Sequence, residues 1–169
     1  MPRLHIDLCC GLGGWQAPFN EADNWRSVGI DIREDRDPDV VGDVSSLPVD
    51  CDPTLVTASP PCRPYSTAWN SHTPLGDREP DTTVWEACEA AIDRLDPLWW
   101  VLENVGGAQQ FHGPARKTCY PWFLWGWFPP VSVPPLPAKG ETWAQDPAET
   151  AKIPRPLAES IYHAVEGWS

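Results

Sequence analysis

The chain has 169 residues, 41% hydrophobic and 21% charged, which excludes a disordered polypeptide and leaves room for the core of one domain. No apolar run approaches the roughly 20 residues of a membrane helix, and no signal-peptide pattern opens the chain, so a cytoplasmic protein is expected. The formal net charge of -12, with lysine only at 117, 139 and 152, excludes a broadly basic surface; it suits a high-salt cytoplasm or a substrate that is not a polymer.

Leu4-His-Ile-Asp-Leu-Cys9 has the few polar breaks of a central parallel strand. Cys10-Gly11-Leu12-Gly13-Gly14 and a helix-compatible stretch from Trp15 to about Ala22 follow. Strand, glycine turn and helix bring backbone N–H groups close to a nucleotide cofactor, although a ligand-free turn has the same signature. Ser27-Val-Gly-Ile-Asp31-Ile32 is the next strand. Its acid stands about 20 positions after the glycines, the spacing at which a carboxylate accepts ribose hydroxyls. Val40-Val41-Gly42-Asp43-Val44 is a third short strand, with an acid placed to accept an exocyclic amine.

Pro53-Thr-Leu-Val-Thr-Ala58 reads as a buried strand that stops at Pro60-Pro61, because proline cannot continue a ladder. Cys62 stands just beyond, where open α/β sheets place their chemistry. From Ser66 to Pro80 the sequence suggests a lid-like surface loop. Asp81 or Thr82 opens the clearest helix, whose apolar face is Val84, Trp85, Cys88, Ala91, Ile92 and Leu95. Trp99-Trp-Val-Leu102 is a buried strand running into Glu103-Asn104-Val105. An acid and an amide at such a strand end are costly unless paired or used.

Residues from 106 to about 150 are irregular, with the basic pair Arg116-Lys117 and the aromatic run Trp122 to Phe128, expected as an edge strand. Pro129 to Pro137 is a rigid connector, and Ile153 to Val165 a helix with proline in its first turn. The cysteines at 9, 10, 51, 62, 88 and 119 form no CxxC pair, and His5, His72, His112 and His163 stand apart. Reduced thiols and no metal site are expected.

Together these stretches resemble the cytosine-5 methyltransferases, in particular their short phage-type forms. Asp7-Leu8-Cys9-Cys10-Gly11-Leu12-Gly13-Gly14 is similar to the family's first motif, with Cys9 where phenylalanine is usual. Pro61-Cys62 resembles the catalytic Pro-Cys, with Arg63 in place of glutamine, and Glu103-Asn104-Val105 resembles the Glu-Asn-Val signature. Gly113 through Gly126 is similar to the phage subgroup, and Ala151 to Pro154 to a closing motif beside the cofactor. The family's Gln-x-Arg-x-Arg motif is not plainly present; Arg116 is its nearest substitute.

The resemblance implies an α/β fold, the Rossmann-like class I methyltransferase type, with a mostly parallel sheet and flanking helices. One catalytic domain would span residues 1–169, its target-recognition domain much reduced or absent. S-adenosylmethionine would be held by Asp7, Leu8, Cys9, Gly11, Gly13, Gly14, Asp31, Ile32, Asp43, Val44 and Pro60. Cys62, Glu103, Asn104 and Arg116 would form the catalytic set, Cys62 as nucleophile and Glu103 as the acid at ring nitrogen 3. The implied partner is DNA with a flipped or single-stranded cytosine. RNA, a free nucleotide, or a silent cofactor-binding subunit are the alternatives, and the oligomeric state stays open. Intact Cys62 and Glu103 argue against the silent subunit.

Overall fold

The structure, a computed structural model, describes residues 1–47, 50–66, 79–136, 149 and 151–168. Seven strands are β1 (Arg3–Leu8), β2 (Trp25–Asp31), β3 (Val40–Val41), β4 (Leu55–Ala58), β5 (Trp99–Asn104), β6 (Lys117–Cys119) and β7 (Trp122–Trp127). They form one sheet in the order β3-β2-β1-β4-β5-β7-β6. The five on the β3 side pair in parallel, and β7 is antiparallel to both β5 and β6. Helices fully within the described residues are α1 (Ala17–Asn20), α2 (Thr83–Leu95), α3 (Gln109–His112) and α4 (Arg155–Glu166).

Side chains alternate across a strand, so each central strand feeds both faces. On one face Ile6, Leu8, Ile30, Val56, Ala58 and Leu102 pack with Trp85, Cys88, Ala91, Ile92 and Leu95 of α2. On the other, Leu55 and Val101 pack with Phe19 of α1 and Leu157, Ala158, Ile161 and Val165 of α4. By the same alternation His5, Asp7, Thr57 and Glu103 belong to the α1–α4 face, a row of polar groups within an otherwise apolar layer. The helix expected at Asp81–Leu95 forms from Thr83, and the Asp81 carboxylate accepts the Thr83 N–H at 3.0 Å.

Three expectations change. The aromatic run is an interior strand rather than an edge, because Lys117–Cys119 pairs along its outer side. Trp125 of that run packs into the α2 layer, and Trp122 and Leu124 into the opposite one. The first helix shrinks to Ala17–Asn20, because the turn before it holds Gly11 and Gly13 at positive φ. The third strand stops at Val41, leaving Asp43 to accept the Ser45 N–H at 2.9 Å and open a 3-10 turn at Val44–Ser46.

Candidate active site

The carboxyl edge of the parallel strands collects the chemistry, as open α/β sheets require. Strands β4 and β5 are neighbours, with Ala58 opposite Leu102, so Ser59-Pro60-Pro61-Cys62 and Glu103-Asn104 leave the sheet side by side. Asn104, 1% exposed, donates from Nδ2 to the Pro60 carbonyl at 2.9 Å and accepts the Val105 N–H at 2.9 Å. Its amide therefore ties the proline turn to the end of β5. Cys62 is half-buried and opens a 3-10 turn, Arg63–Tyr65, in which the Tyr65 N–H donates to the Cys62 carbonyl at 3.0 Å. Glu103 is buried at 7% exposure on β5.

A second tie was not visible in the sequence. Tyr65, 1% exposed, shares a 2.9 Å hydrogen bond between its hydroxyl and His112 Nε2. The His112 ring stacks on Trp85 at 3.7 Å and 8°. The thiol's turn is thus pinned to α2 and α3, elements that chain order alone does not bring together.

Beside this edge stands the glycine turn. Asp31 Oδ2 accepts the Gly11 N–H at 2.9 Å, and Oδ1 accepts the Arg33 N–H at 2.9 Å. Ile32 next to it is 66% exposed, an apolar face open to a flat ring. Gly14 leaves no space for a side chain: a Cβ there would lie 2.7 Å from the Ile153 carbonyl oxygen. The segment leading into α4 therefore packs on the glycine turn. Trp15 Nε1 donates to Ser59 Oγ at 3.0 Å, joining this turn to the proline turn. Leu8 is fully buried core, Val44 packs against the α2 layer, and the half-buried Cys9 lies 3.9 Å, sulfur to sulfur, from Cys88.

Beneath the glycine turn runs a buried polar chain. His5 Nδ1 meets Ser27 Oγ at 2.8 Å, His5 Nε2 meets Thr57 Oγ1 at 2.8 Å, and Thr57 Oγ1 meets Asp7 Oδ1 at 2.8 Å. His5, Asp7 and Thr57 are all 0% exposed, and Asp7 Oδ2 is buried without a hydrogen-bond partner among the described residues. Burial lowers the His5 ring to about 3 and raises the Asp7 carboxyl to about 8, the nearby Asp31 charge adding to the latter. Sequence reading took Asp7 but missed its supports. The available signal was period two: His5 and Asp7 share a strand face, with Ser27 and Thr57 opposite them.

These residues fit the cofactor that the resemblance implies. S-adenosylmethionine is cationic at one end and presents ribose hydroxyls, both of which call for acceptors. Asp7 offers an orphaned buried oxygen, and a Cβ on Gly11 would meet no atom within 4 Å among the described residues.

Arg116 is not brought to this edge. Its guanidinium donates to the Phe128 carbonyl at 2.8 Å and lies over the Trp127 and Phe128 rings at 5.2 and 5.0 Å. Trp127 is opposite Trp100, toward the far end of β5 from Glu103. In an antiparallel partner, the end that reaches Phe128 is necessarily the end remote from Asn104. Most of the loop expected to act as a lid, residues 67–78, lies outside the described residues.

Comparison with known proteins identifies the family. Residues 22–120, more than half of the chain, match the family model for C-5 cytosine-specific DNA methylase. No curated protein matches. Among solved structures, a prophage-encoded protein described as a DNA modification methyltransferase (E. coli) is similar at 22% identity and a TM-score of 0.47, covering 65% of this chain and 34% of that one. The Entamoeba histolytica methyltransferase EhMeth is similar at 18% identity and a TM-score of 0.43, covering 65% and 40%. Spodoptera frugiperda DNMT2 is similar at 20% identity and a TM-score of 0.44, covering 64% and 37%. The chain thus spans about a third to two fifths of the length of these relatives. Its sheet is that of the Rossmann-like methyltransferases, and by the family model the chain belongs to the C-5 cytosine-specific DNA methylases.

Proposed function

We propose that the chain transfers a methyl group from S-adenosylmethionine to carbon 5 of cytosine in DNA through a covalent adduct on Cys62. The cofactor supplies an electrophilic methyl group on a sulfonium. Carbon 5 of cytosine is a poor nucleophile, so the chain must first activate the ring. Cys62 adds its sulfur at carbon 6 as the thiolate, which makes carbon 5 enamine-like and splits one hard step into easier ones. Glu103 delivers a proton or hydrogen bond to ring nitrogen 3, so that negative charge does not build up on the ring. After methylation, loss of the carbon 5 proton and departure of the Cys62 sulfur restore aromaticity. Asn104 holds the proline turn rather than touching substrate. Asp7, Asp31, Ile32 and the glycine turn hold the cofactor, with Asp43 near its adenine end. Since a base within a duplex is out of reach of a thiol, the target is a flipped or single-stranded cytosine.

One observation carries this reading. The Cys62 turn and Glu103 leave adjacent strands at one edge, joined by the Asn104–Pro60 hydrogen bond beside the glycine turn. We read residues 1–169 as one catalytic domain acting in the cytoplasm, of its host if viral. A second substrate class, a free nucleotide, is favoured by the net charge of -12, because it demands less of a basic groove than a polyanion does, and RNA is the further alternative. Transfer of labelled methyl groups to duplex DNA, RNA and dCMP in parallel decides between them. Label at carbon 5 of DNA cytosine is expected. Label confined to RNA or dCMP would move the substrate assignment, and label nowhere would overturn the activity.

A further inference from the structure

Apart from Asp7 as a cofactor acceptor, the buried chain Ser27–His5–Thr57–Asp7 has no role in the chemistry above, yet it runs through the otherwise apolar α1–α4 layer. Three facts define it. Every link is 2.8 Å long, the histidine sits between two hydroxyls, and the free end is the orphaned Asp7 Oδ2. A hydroxyl both donates and accepts, so neither neighbour dictates which His5 nitrogen carries the proton. Had a backbone carbonyl or a carboxylate held one nitrogen, the tautomer would be locked.

We propose that this chain is a two-state proton relay, in which the cationic end of the cofactor at Asp7 Oδ2 ionises Asp7, sends one proton out through Ser27 and reverses the His5 tautomer. The proposal rests on the cofactor reading above. In the resting state Asp7 is a neutral acid and its Oδ1–H donates to Thr57 Oγ1. Thr57 donates in turn to His5 Nε2, and the His5 Nδ1–H donates to Ser27 Oγ. In the ionised state every link reverses: Ser27 donates to Nδ1, the Nε2–H donates to Thr57, and Thr57 donates to the Asp7 carboxylate. Four protons each move one link, and the balance is one proton released to solvent from Ser27, the half-buried member. His5 stays neutral throughout, so no cation is created inside the layer.

The surroundings favour a neutral resting acid. Around Asp7 are Thr57 from β4, Asp31 from β2 and Cys9 and Cys10 from the glycine turn, with His5 and Ser27 further along the chain of hydrogen bonds that starts at Thr57. Burial raises Asp7 to about 8 against the lowering effect of its Thr57 hydrogen bond, and the second carboxylate, Asp31, adds to the rise. His5, lowered to about 3 by burial, cannot neutralise Asp7 by accepting its proton outright. A cation arriving at Oδ2 is then what allows the carboxylate to form.

Calorimetry of S-adenosylmethionine binding, at about pH 6.5 in buffers of differing ionisation enthalpy, counts the protons released. About one proton per cofactor is expected there, falling toward zero by about pH 9, where Asp7 is already ionised. The Asp7→Asn variant should release none. Nitrogen NMR of the histidines should show the protonated His5 nitrogen exchanging from Nδ1 to Nε2 on binding. The same exchange should follow pH across the Asp7 titration with no cofactor present. Thr57→Val should leave the tautomer unresponsive, and Thr57→Ser should restore the response. Binding without proton release and with a fixed tautomer overturns the relay alone. Absence of binding overturns the cofactor reading, and the cofactor-free pH titration then still decides whether the relay exists.

Discussion

At Cys62 and Glu103, substitutions separate binding from chemistry. Cys62→Ser replaces sulfur with a much weaker nucleophile of similar size at a half-buried site. It should abolish methyl transfer while leaving S-adenosylmethionine affinity within about threefold by calorimetry; wild-type turnover would remove Cys62 from the chemistry. Glu103→Gln keeps the shape and one donor but cannot transfer a proton, so kcat should fall by about 100- to 10,000-fold with little change in KM. A cytosine bearing fluorine at carbon 5 sharpens the test, because fluorine does not leave as a proton does. The wild type should be trapped on Cys62, and Glu103→Gln should trap slowly. Trapping at the wild-type rate would make Glu103 a structural acid.

Among the elements, the glycine turn and the lead into α4 depend on each other. A Cβ on Gly14 would lie 2.7 and 2.8 Å from the Ile153 carbonyl oxygen and nitrogen, both backbone atoms that cannot rotate away. Gly14→Ala should therefore push Ile153 off the turn, cost about 1–3 kcal/mol in denaturant unfolding, and weaken cofactor binding at least tenfold. Unchanged affinity would detach α4 from the site. The β1–glycine turn–β2 unit, the β4 strand ending at prolines, α2 and β5 were legible in the sequence, because each carries a local signal: a run, a period or a breaker. What was not legible depends on pairs distant in the chain. Tyr65 meets His112 across 47 positions, and His5 meets Thr57 across 52. The interior place of β7 and the retreat of Arg116 follow from strand order, which no single segment encodes.

For the whole molecule, charge and protons set the response to solvent. Of twelve cationic side chains, Arg3, Arg33, Arg36 and Arg155 sit in ion pairs with carboxylates, and Arg94 and Arg116 donate to backbone carbonyls. Half of the twelve are thus already engaged and the net charge is -12, so the salt slope of duplex binding should be shallow. With about three phosphates neutralised, affinity would fall about 40-fold between 50 and 200 mM salt, against the roughly 1,000-fold or more of a basic enzyme. A steeper fall would point to a concentrated basic face. The response to pH follows from the buried groups. His5, near 3 when folded, and His112, also lowered by burial, bind a proton more readily in the unfolded chain, so their contribution to stability rises as pH climbs toward about 6.5. Asp7 does the opposite: raised to about 8, it holds its proton in the fold while the unfolded chain has lost it above about pH 4, so below about pH 6.5 it offsets His5 and the net profile is nearly flat. Between about pH 6.5 and 8 the histidines no longer contribute, and stability should fall with a limiting slope of about 1.4 kcal/mol per pH unit. Above that, the thiols of Cys9, held up by its contact with Cys88 and by burial, and of Cys10, held up by burial, continue the decline. Denaturant unfolding of the cofactor-free protein should show a plateau that gives way to a decline at about pH 6.5, and Asp7→Asn should flatten the limb between about 6.5 and 8. Stability rising through that window would mean that Asp7 is already ionised in the resting fold.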